Sequence, residues 1–336
     1  MANGIVWITT TWIDGLKCVG DLLQPLAGEG GLEVRLDAKG VHLSEEEVIR
    51  GLPGVVATMP SNDIYSERVF SEAKDLRIIA RTGVGLNAID LDAATAHGVV
   101  VTHAAAQNAE SVAEHTFGIM LGAARKIPWM DKNVRAGNWT GIREIVSSLK
   151  GKTLGLIGLG NVGKQVARRA AAFGMEILAY DVLQDERFAA EVGVFFHPLE
   201  EVVRRADFIS CHVPLTPESE GIIGPGLLKL MKPTAFVINT SRGPVVDIDA
   251  LAEALAGGQI RGAAIDVFPH EPPDPSHPLF SLDNIVLTPH AAGLGEDACQ
   301  NCVRHAVRAT LDFLSGQKPS DVANPKVLEK LGIPGK

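Results

Sequence analysis

The stretch that decides the fold is KTLGLIGLGNVGKQVARRAAAFGMEILAYD, residues 152–181. An apolar run of strand type leads into the motif G-x-G-x-x-G, and a helical run then extends to Gly174. The first glycine of such a motif allows a tight turn, the second lets the backbone approach a pyrophosphate, and the third lets helix and strand pack closely. The free N–H groups that open the helix bind anions. The stretch therefore predicts a dinucleotide-binding Rossmann unit. The residues expected to contact the cofactor at this loop are Gly158, Gly160, Asn161, Val162 and Gly163.

Asp181 ends the apolar strand that follows this motif. A carboxylate at that point accepts hydrogen bonds from both ribose hydroxyls and repels a 2′-phosphate. Its neighbours Val182 and Leu183 offer no arginine to neutralise such a phosphate. The sequence therefore predicts NAD rather than NADP as the cofactor.

The totals of the sequence restrict its partners and its location. At 336 residues the length favours two domains. A net charge of −9 argues against a nucleic acid or an anionic membrane as partner, because phosphate binding needs a basic face. There is no long apolar run for a transmembrane helix, and the first residues do not resemble a signal peptide. We expect a cytoplasmic protein.

The four cysteines are too few and too scattered for a disulfide framework. Cys299 and Cys302 form a C-x-x-C motif, and His305 follows three residues later. A zinc site would need a fourth ligand and a knuckle-like loop, whereas GEDACQNCVRHAVRATLDFL reads as a continuous amphipathic helix. We therefore expect no metal.

Short apolar strands alternate with helical stretches along the chain, which is typical of parallel α/β sheets. A first series of strands lies within the first hundred residues, and a second series begins with the glycine motif. The strand segments are GIVWIT, LEVRL, GVVAT, LRIIA and GVVVTH, then KTLGLIG, EILAYD, DFISCHV, AFVINT, GAAIDVF and NIVLT. The final helix has no partner in the second series, so we expect it to return to the first domain. The prediction is a Rossmann NAD-binding domain, residues 104–290, inserted into a smaller flavodoxin-like substrate domain, residues 1–103 plus 291–336. Both domains would be doubly wound parallel sheets, and one long helical run after Asn108 would connect them.

Polar side chains follow three successive strands of the second series. Ser241 and Arg242 come after AFVINT, Asp266 after GAAI with Glu271 in the loop beyond it, and His290 after NIVLT. Because ligands bind at the carboxyl ends of parallel strands, these groups should meet at the nicotinamide end of the cofactor. An imidazole can exchange the proton of a hydroxyl near neutral pH, a carboxylate can stabilise the imidazolium, and an arginine fork can bind a carboxylate or oxo group.

Each of these residues also has a simpler interpretation. A single arginine at a strand end is commonly part of a surface ion pair, a loop glutamate is commonly solvated, and a lone histidine is commonly structural. His270, beside Glu271, is a rival proton carrier. The occurrence of all three groups after neighbouring strands favours the catalytic interpretation.

These motifs resemble the D-isomer-specific 2-hydroxyacid dehydrogenase family. The similarity rests on ARTGVGLNAIDLDAATAHGVVV, NAESVAEH, HVPLTPESEGIIG, NTSRGPVVDIDAL, AAIDVFPHEPP and LTPHAAG together with the glycine motif. The resemblance implies Arg242, Glu271 and His290 as the catalytic set. It also implies cofactor contacts by Thr216, Thr240, Ser241 and Asp266, the last with the nicotinamide carboxamide. Substrate contacts would come from the backbone N–H groups of Val84 and Gly85, from Asn108 and from Arg81, which could meet a second anionic group or pair with a carboxylate.

The segments LRIIARTGVG and AARKIPWMDKNVRAGNW are most similar to 3-phosphoglycerate dehydrogenases, and we expect their regulatory C-terminal domain to be absent. Two segments differ from common family patterns, residues 85–90 and THAAAQN at 102–108. The best substrate prediction is therefore D-3-phosphoglycerate or a similar small anionic 2-hydroxy acid, with glyoxylate or hydroxypyruvate as the alternative. Glu271, where formate dehydrogenases of the superfamily carry glutamine, disfavours formate.

The resemblance further implies a homodimer built through the nucleotide-binding domains. A reading of another class is an NAD(H)-sensing binding protein that resembles the C-terminal-binding corepressors. Tight NADH binding without turnover of any 2-keto acid would favour that reading.

Overall fold

A computed structural model describes residues 4–140 and 145–333. The chain divides into two compact units. Unit 1 comprises Met1–Asn108 and Leu294–Lys336, and unit 2 comprises Ala109–Gly293. The boundaries between the units thus lie a few residues later in the chain than the sequence suggested.

Strands and helices alternate along both units. The strands are β1 Ile5–Ile8, β2 Glu33–Leu36, β3 Val55–Met59, β4 Ile78–Arg81, β5 Val100–His103, β6 Thr153–Ile157, β7 Glu176–Tyr180, β8 Val194–Phe196, β9 Phe208–Cys211, β10 Phe236–Asn239, β11 Gly262–Ile265 and β12 Ile285–Leu287. The helices are α1 Val19–Gly28, α2 Glu45–Gly51, α3 Glu67–Glu72, α4 Leu91–Ala96, α5 Ala109–Ala124, α6 Ile127–Arg135, α7 Asn161–Ala172, α8 Glu186–Val192, α9 Leu199–Arg205, α10 Pro225–Leu228, α11 Ile248–Ala256, α12 Glu296–Leu314 and α13 Lys326–Lys330. None of the described helices is long and apolar enough to cross a membrane.

Unit 1 is built on a parallel five-stranded sheet in the order β2-β1-β3-β4-β5, which is the flavodoxin-like order. Successive side chains of β1 enter different cores, because side chains alternate across a strand. Val6 and Ile8 pack with residues of α1 and α12 on one face, whereas Trp7 packs with Val48 and Val69 on the other. Since both faces are covered, the strands read as continuous apolar runs.

Helix α12 belongs to unit 1, as the sequence predicts for the final helix. It is continuous through the C-x-x-C motif, and Cys299 and Cys302 are buried in it. Burial raises the pKa of the Cys299 thiol to about 11 and that of Cys302 to about 12. Among the residues that the structure describes, no group of three His, Cys, Asp or Glu side chains is arranged to hold a metal ion.

Unit 2 contains a parallel seven-stranded sheet in the order β12-β11-β10-β9-β6-β7-β8. Counted outward from β6, this is the Rossmann order with one further strand at the edge, and the strand order reverses between β6 and β9. The two parallel sheets confirm the predicted fold class. The sequence analysis missed β8, a three-residue edge strand in which Phe195 is exposed.

The long helical run predicted after Asn108 is wrong in one respect, because it consists of two helices. Helix α5 ends at Ala124 and α6 begins at Ile127. Between them Lys126 has the left-handed φ of 53°. Pro128 lies in the first turn of α6, where its missing N–H is tolerated, but it could not have continued α5.

Candidate active site

The glycine loop between β6 and α7 is shaped to approach a ligand. Gly158 has a φ of 99°, and a Cβ on Gly163 would lie 2.3 Å from the carbonyl oxygen of Gly158, so neither position accepts a side chain without strain. Gly160 is the N-cap of α7 and provides no side-chain cap, and open space surrounds the place where its Cβ would be. Within the described residues no group accepts a hydrogen bond from the first N–H groups of α7, on Asn161 and Val162, which fits a pyrophosphate.

Asp181 follows β7 and lies against this loop. Its Oδ2 accepts a hydrogen bond from Leu159 N at 2.6 Å, and its Oδ1 accepts one from Leu183 N at 2.9 Å. Each oxygen keeps a further lone pair for a ribose hydroxyl. The side chains next to it, Val182 and Leu183, are 83% and 82% exposed and carry no charge. A 2′-phosphate would meet the Asp181 carboxylate, and the two residues that follow it in the chain offer no cation.

The turn after β10 presents Arg242 and is held by a buried asparagine. Asn239 Oδ1 accepts from Ser241 N at 3.0 Å, and Asn239 Nδ2 donates to Arg242 O at 2.9 Å. Arg242 Nη1 donates to Ser241 O at 2.6 Å. Burial lowers the pKa of the Arg242 guanidinium, and the negative charge of Glu271 partly raises it again.

Gly243 lets the Arg242 turn approach the loop that carries Glu271. A Cβ on Gly243 would lie 2.1 Å from the carbonyl oxygen of Phe268. The amide of Phe268 donates to Glu271 Oε1 at 3.0 Å. The backbone contact between the two loops therefore fixes the guanidinium and the carboxylate near each other.

His290 and Glu271 form a direct pair at this edge of the sheet. His290 Nδ1 lies 2.7 Å from Glu271 Oε2, and both side chains are partly exposed. Burial by itself raises the pKa of the Glu271 carboxyl, but the hydrogen bonds from His290 and from Phe268 N outweigh it and lower the pKa below its ordinary value. No residue of the described part of the chain is bonded to His290 Nε2, so this nitrogen is available for proton exchange.

His290 also has an unusual backbone, with a left-handed φ of 52°. For an L-residue other than glycine this conformation costs roughly 1 kcal/mol. Its amide donates to Asp266 O at 2.7 Å, which ties the histidine to the end of β11.

Asp266 is buried and bonded to the turn that carries His290. The side chain has no exposed surface, and its carboxylate accepts hydrogen bonds from Thr288 Oγ1, Ala291 N and Ala292 N at 2.6, 2.9 and 3.0 Å. The donors of the His290 turn lie around both oxygens, and the expected contact with a nicotinamide carboxamide stays a prediction. Burial raises the pKa of this carboxyl, but the hydrogen bonds from His115, Thr288 and the two amides bring it down to about 2.

The remaining expected cofactor residues lie at the same edge with their hydroxyls turned to the protein. Thr240 is buried and its Oγ1 is 2.9 Å from Thr116 Oγ1. Ser241 Oγ donates to Asn239 Oδ1 at 2.8 Å. The amide of Thr216, in the loop after β9, donates to Ser219 Oγ at 2.8 Å. These residues shape the edge, and their cofactor contacts stay a prediction.

Comparison with known proteins decides which family this site belongs to. The sequence model of the D-isomer specific 2-hydroxyacid dehydrogenase NAD binding domain matches residues 117–292. The chain belongs to the D-isomer specific 2-hydroxyacid dehydrogenase family.

Three of the similar proteins illustrate the range of the family. A D-3-phosphoglycerate dehydrogenase of Archaeoglobus fulgidus is 42% identical over 274 residues, which are 81% of this chain and 51% of the relative. The chain thus spans about half the length of that relative. A glyoxylate reductase of Korarchaeum cryptofilum is 40% identical, with 81% of this chain and 83% of the relative covered. The crystal structure of a protein from Thermus thermophilus is similar to this chain, with a TM-score of 0.86 and 35% sequence identity. The match covers 95% of this chain and 99% of the Thermus chain.

The residues that the resemblance implies for substrate contacts lie in unit 1, after β4 and before α5. Arg81 ends β4, is 8% exposed and donates through Nη2 to the amide oxygen of Asn62. Within the described residues no hydrogen bond reaches the amides of Val84 and Gly85. Asn108 is the last residue of this segment of unit 1, directly before α5.

The structure of this family member thus brings Arg242, Glu271 and His290 together within unit 2, whereas the rival His270 is exposed and outside the cluster. Sequence reasoning missed two residues of the site, Asn239 and His115. Asn239 is the last residue of a strand and His115 lies inside a helix, so neither stands in the loops where polar ligands are sought.

Proposed function

We propose that this chain is an NAD-dependent oxidoreductase that transfers a hydride between nicotinamide and the C2 carbon of a D-2-hydroxy acid or its 2-keto partner. The observation that carries the proposal is the 2.7 Å contact between His290 Nδ1 and Glu271 Oε2, at the carboxyl edge of a sheet that also bears the glycine loop. A dinucleotide would be held by the loop, the N-terminus of α7 and Asp181. When bound, it supplies or accepts the hydride.

The residues of the chain then perform the proton transfer. In the reductive direction, protonated His290 donates from Nε2 to the keto oxygen, because Nδ1 is already directed at Glu271. The Glu271 carboxylate stabilises the imidazolium and keeps the ring oriented. Arg242 binds the carboxylate or the oxo group of the substrate through its planar fork, and its partial burial strengthens that interaction.

For the substrate we propose D-3-phosphoglycerate or a similarly small anionic 2-hydroxy acid. The D-3-phosphoglycerate dehydrogenase of Archaeoglobus fulgidus supports this choice. Glyoxylate or hydroxypyruvate is the second candidate, because the Korarchaeum cryptofilum glyoxylate reductase is 40% identical to this chain over 277 residues. Arg81, the amides of Val84 and Gly85, and Asn108 are proposed to contact the anionic groups.

The proposal includes a homodimer in the cytoplasm. The four cysteines are free thiols, as is usual in a reducing compartment. Helix α6 of unit 2 has no buried residue, and Ile127 and Val134 on it are 55% and 46% exposed. An apolar helix surface of this kind is suited to a second copy of the chain.

Replacement of the proton carrier tests the proposal. The variant His290→Gln keeps a polar side chain but exchanges no proton, so we expect turnover to fall by about 10²–10⁴-fold. NADH affinity, measured by fluorescence quenching, should stay nearly unchanged. Turnover is measured as NADH oxidation with phosphohydroxypyruvate, hydroxypyruvate, glyoxylate and pyruvate. Near-normal turnover of His290→Gln would refute the catalytic assignment. Tight NADH binding by the wild type without turnover of any 2-keto acid would favour the NAD(H)-sensing alternative.

A further inference from the structure

Two side chains of α5 hold the turn that carries His290. Ser111 Oγ donates to Ala292 O at 2.8 Å, on the far side of the turn. His115 Nε2 lies 3.0 Å from Thr288 Oγ1 and 3.3 Å from Asp266 Oδ1, on the near side. Since residues four apart share one face of a helix, α5 meets the turn with a single polar face.

The hydrogen atoms in this cluster determine which group donates to which. The hydroxyl of Thr288 has one hydrogen, and it points to Asp266 Oδ1 at 2.6 Å. Thr288 Oγ1 can therefore only accept from His115, so His115 Nε2 carries a hydrogen and donates it. The nearby carboxylate oxygen of Asp266 favours the same arrangement.

The Asp266 carboxylate connects Thr288 and His115 to the backbone of the turn. Its two oxygens accept the amides of Ala291 and Ala292, the residues directly after His290. The carbonyl of Asp266 accepts the amide of His290 itself. The left-handed backbone of His290 persists only because the groups around it hold it in place.

We propose that His115 is a positioning residue for the proton transfer. Its Nε2–H fixes Thr288 and Asp266, these fix the turn, and the turn aims the His290 ring at Glu271. His115 touches neither His290 nor Glu271 in the described contacts, so it acts through Asp266. This inference rests on the proposed role of His290.

Two variants of His115 and one control test the inference. His115→Leu removes the donor, and a displacement of the His290 ring should lower kcat by about 10- to 100-fold. His115→Gln supplies an amide N–H of similar reach and should restore most of kcat. The NADH dissociation constant should change less than about twofold in both. The control is His277→Leu, since His277 is 22% exposed against 24% for His115 and also pairs with an aspartate, Asp249, at 3.0 Å. It should leave kcat unchanged.

A double variant separates positioning from a general structural effect. If His115 acts through His290, then His115→Leu should not lower the residual activity of His290→Gln any further. If His115→Leu disturbed the structure in general, it would lower the activity of both the wild type and His290→Gln, and that result would overturn the inference. Wild-type kcat in His115→Leu, or a His115→Gln variant no better than His115→Leu, would also overturn it. In each of those cases, an inactive His290→Gln variant leaves the proposed function intact. An active His290→Gln variant would refute both the proposed function and the inference about His115.

Discussion

At the scale of single residues, two carboxylates of the same site have different tasks because their surroundings differ. Glu271 is partly exposed and shares one oxygen with His290, so its charge can respond to a proton on the imidazole. Asp266 has no exposed surface and is surrounded by donors, so it stays ionised and serves as an anchor. The proposed chemistry needs both: one carboxylate beside the moving proton and one that never takes it up.

The buried position of Asp266 leads to a prediction about pH and stability. Its pKa is about 2 in the folded protein against an ordinary 3.8. Because the folded pKa is the lower one, its stabilising effect is complete above about pH 4 and is lost as the pH falls towards 2. A shift of this size corresponds to about 2 kcal/mol. Asp266→Asn should therefore lower the free energy of unfolding by at least about 2 kcal/mol at pH 5–7 and by less at pH 3.

Urea unfolding of the wild type and of Asp266→Asn at several pH values measures this difference. Thr288→Val removes one of the donors to Asp266 and should show a smaller effect of the same pH dependence. A difference between wild type and Asp266→Asn that is as large at pH 3 as at pH 7 would contradict the prediction.

At the scale of elements, the close approach of two loops after β10 and β11 builds the site. Gly243→Ala would place a Cβ 2.0 Å from the carbonyl carbon of Phe268, where backbone must move. We expect a loss of about 1–3 kcal/mol of stability and a drop in kcat, because the loop of Glu271 would be pushed from Arg242. Thermal unfolding and NADH oxidation measure the two effects. Gly226→Ala is the matched control, since nothing lies within 4 Å of its Cβ position, and equal behaviour of both variants would disprove the explanation.

Most elements of the fold could be predicted because parallel strands buried on both faces are continuous apolar runs. The glycine motif and the polar residues after β10, β11 and β12 could be predicted to lie together, because the carboxyl ends of parallel strands lie at one edge of the sheet. The edge strand β8 was missed because it has only three residues and the middle one is exposed, so its sequence shows no continuous apolar run that is buried. The break at Lys126 was missed because the apolar period continues from α5 into α6 while the backbone turns before Pro128.

The side-chain partners inside the site could not be predicted from sequence. Asp266 follows a strand as a ligand-binding residue would, and only the folded turn shows that Thr288 and two amides enclose it. His115 lies in a helix whose register toward the His290 turn depends on packing. Sequence therefore identified which residue types meet at the edge but not the hydrogen bonds that hold them there.

At the scale of the whole molecule, the proposed homodimer requires a surface that joins two copies. The chain carries a net charge of −9, so two copies repel one another, and a local apolar contact would oppose this repulsion. Helix α6 and the segment after it offer such a contact in unit 2. Ile127 and Val134 lie seven residues apart, on one face of the helix, and Trp139 is 66% exposed just beyond it.

A charge in the middle of this apolar face should separate the dimer. Val134→Asp would bury a carboxylate in each half of the contact, and because an unpaired buried charge costs several kcal/mol, the dimer should dissociate at concentrations at least about 100-fold higher than for the wild type. Sedimentation velocity over a range of protein concentrations measures this. Lys132→Gln changes the net charge by the same amount on the polar side of α6 and should leave the dimer intact. Since Val134 is exposed within its own chain, the thermal stability of the monomer should not fall. A wild-type protein that sediments as a monomer, or a Val134→Asp variant that dimerises as tightly as Lys132→Gln, would show that the copies do not meet through α6.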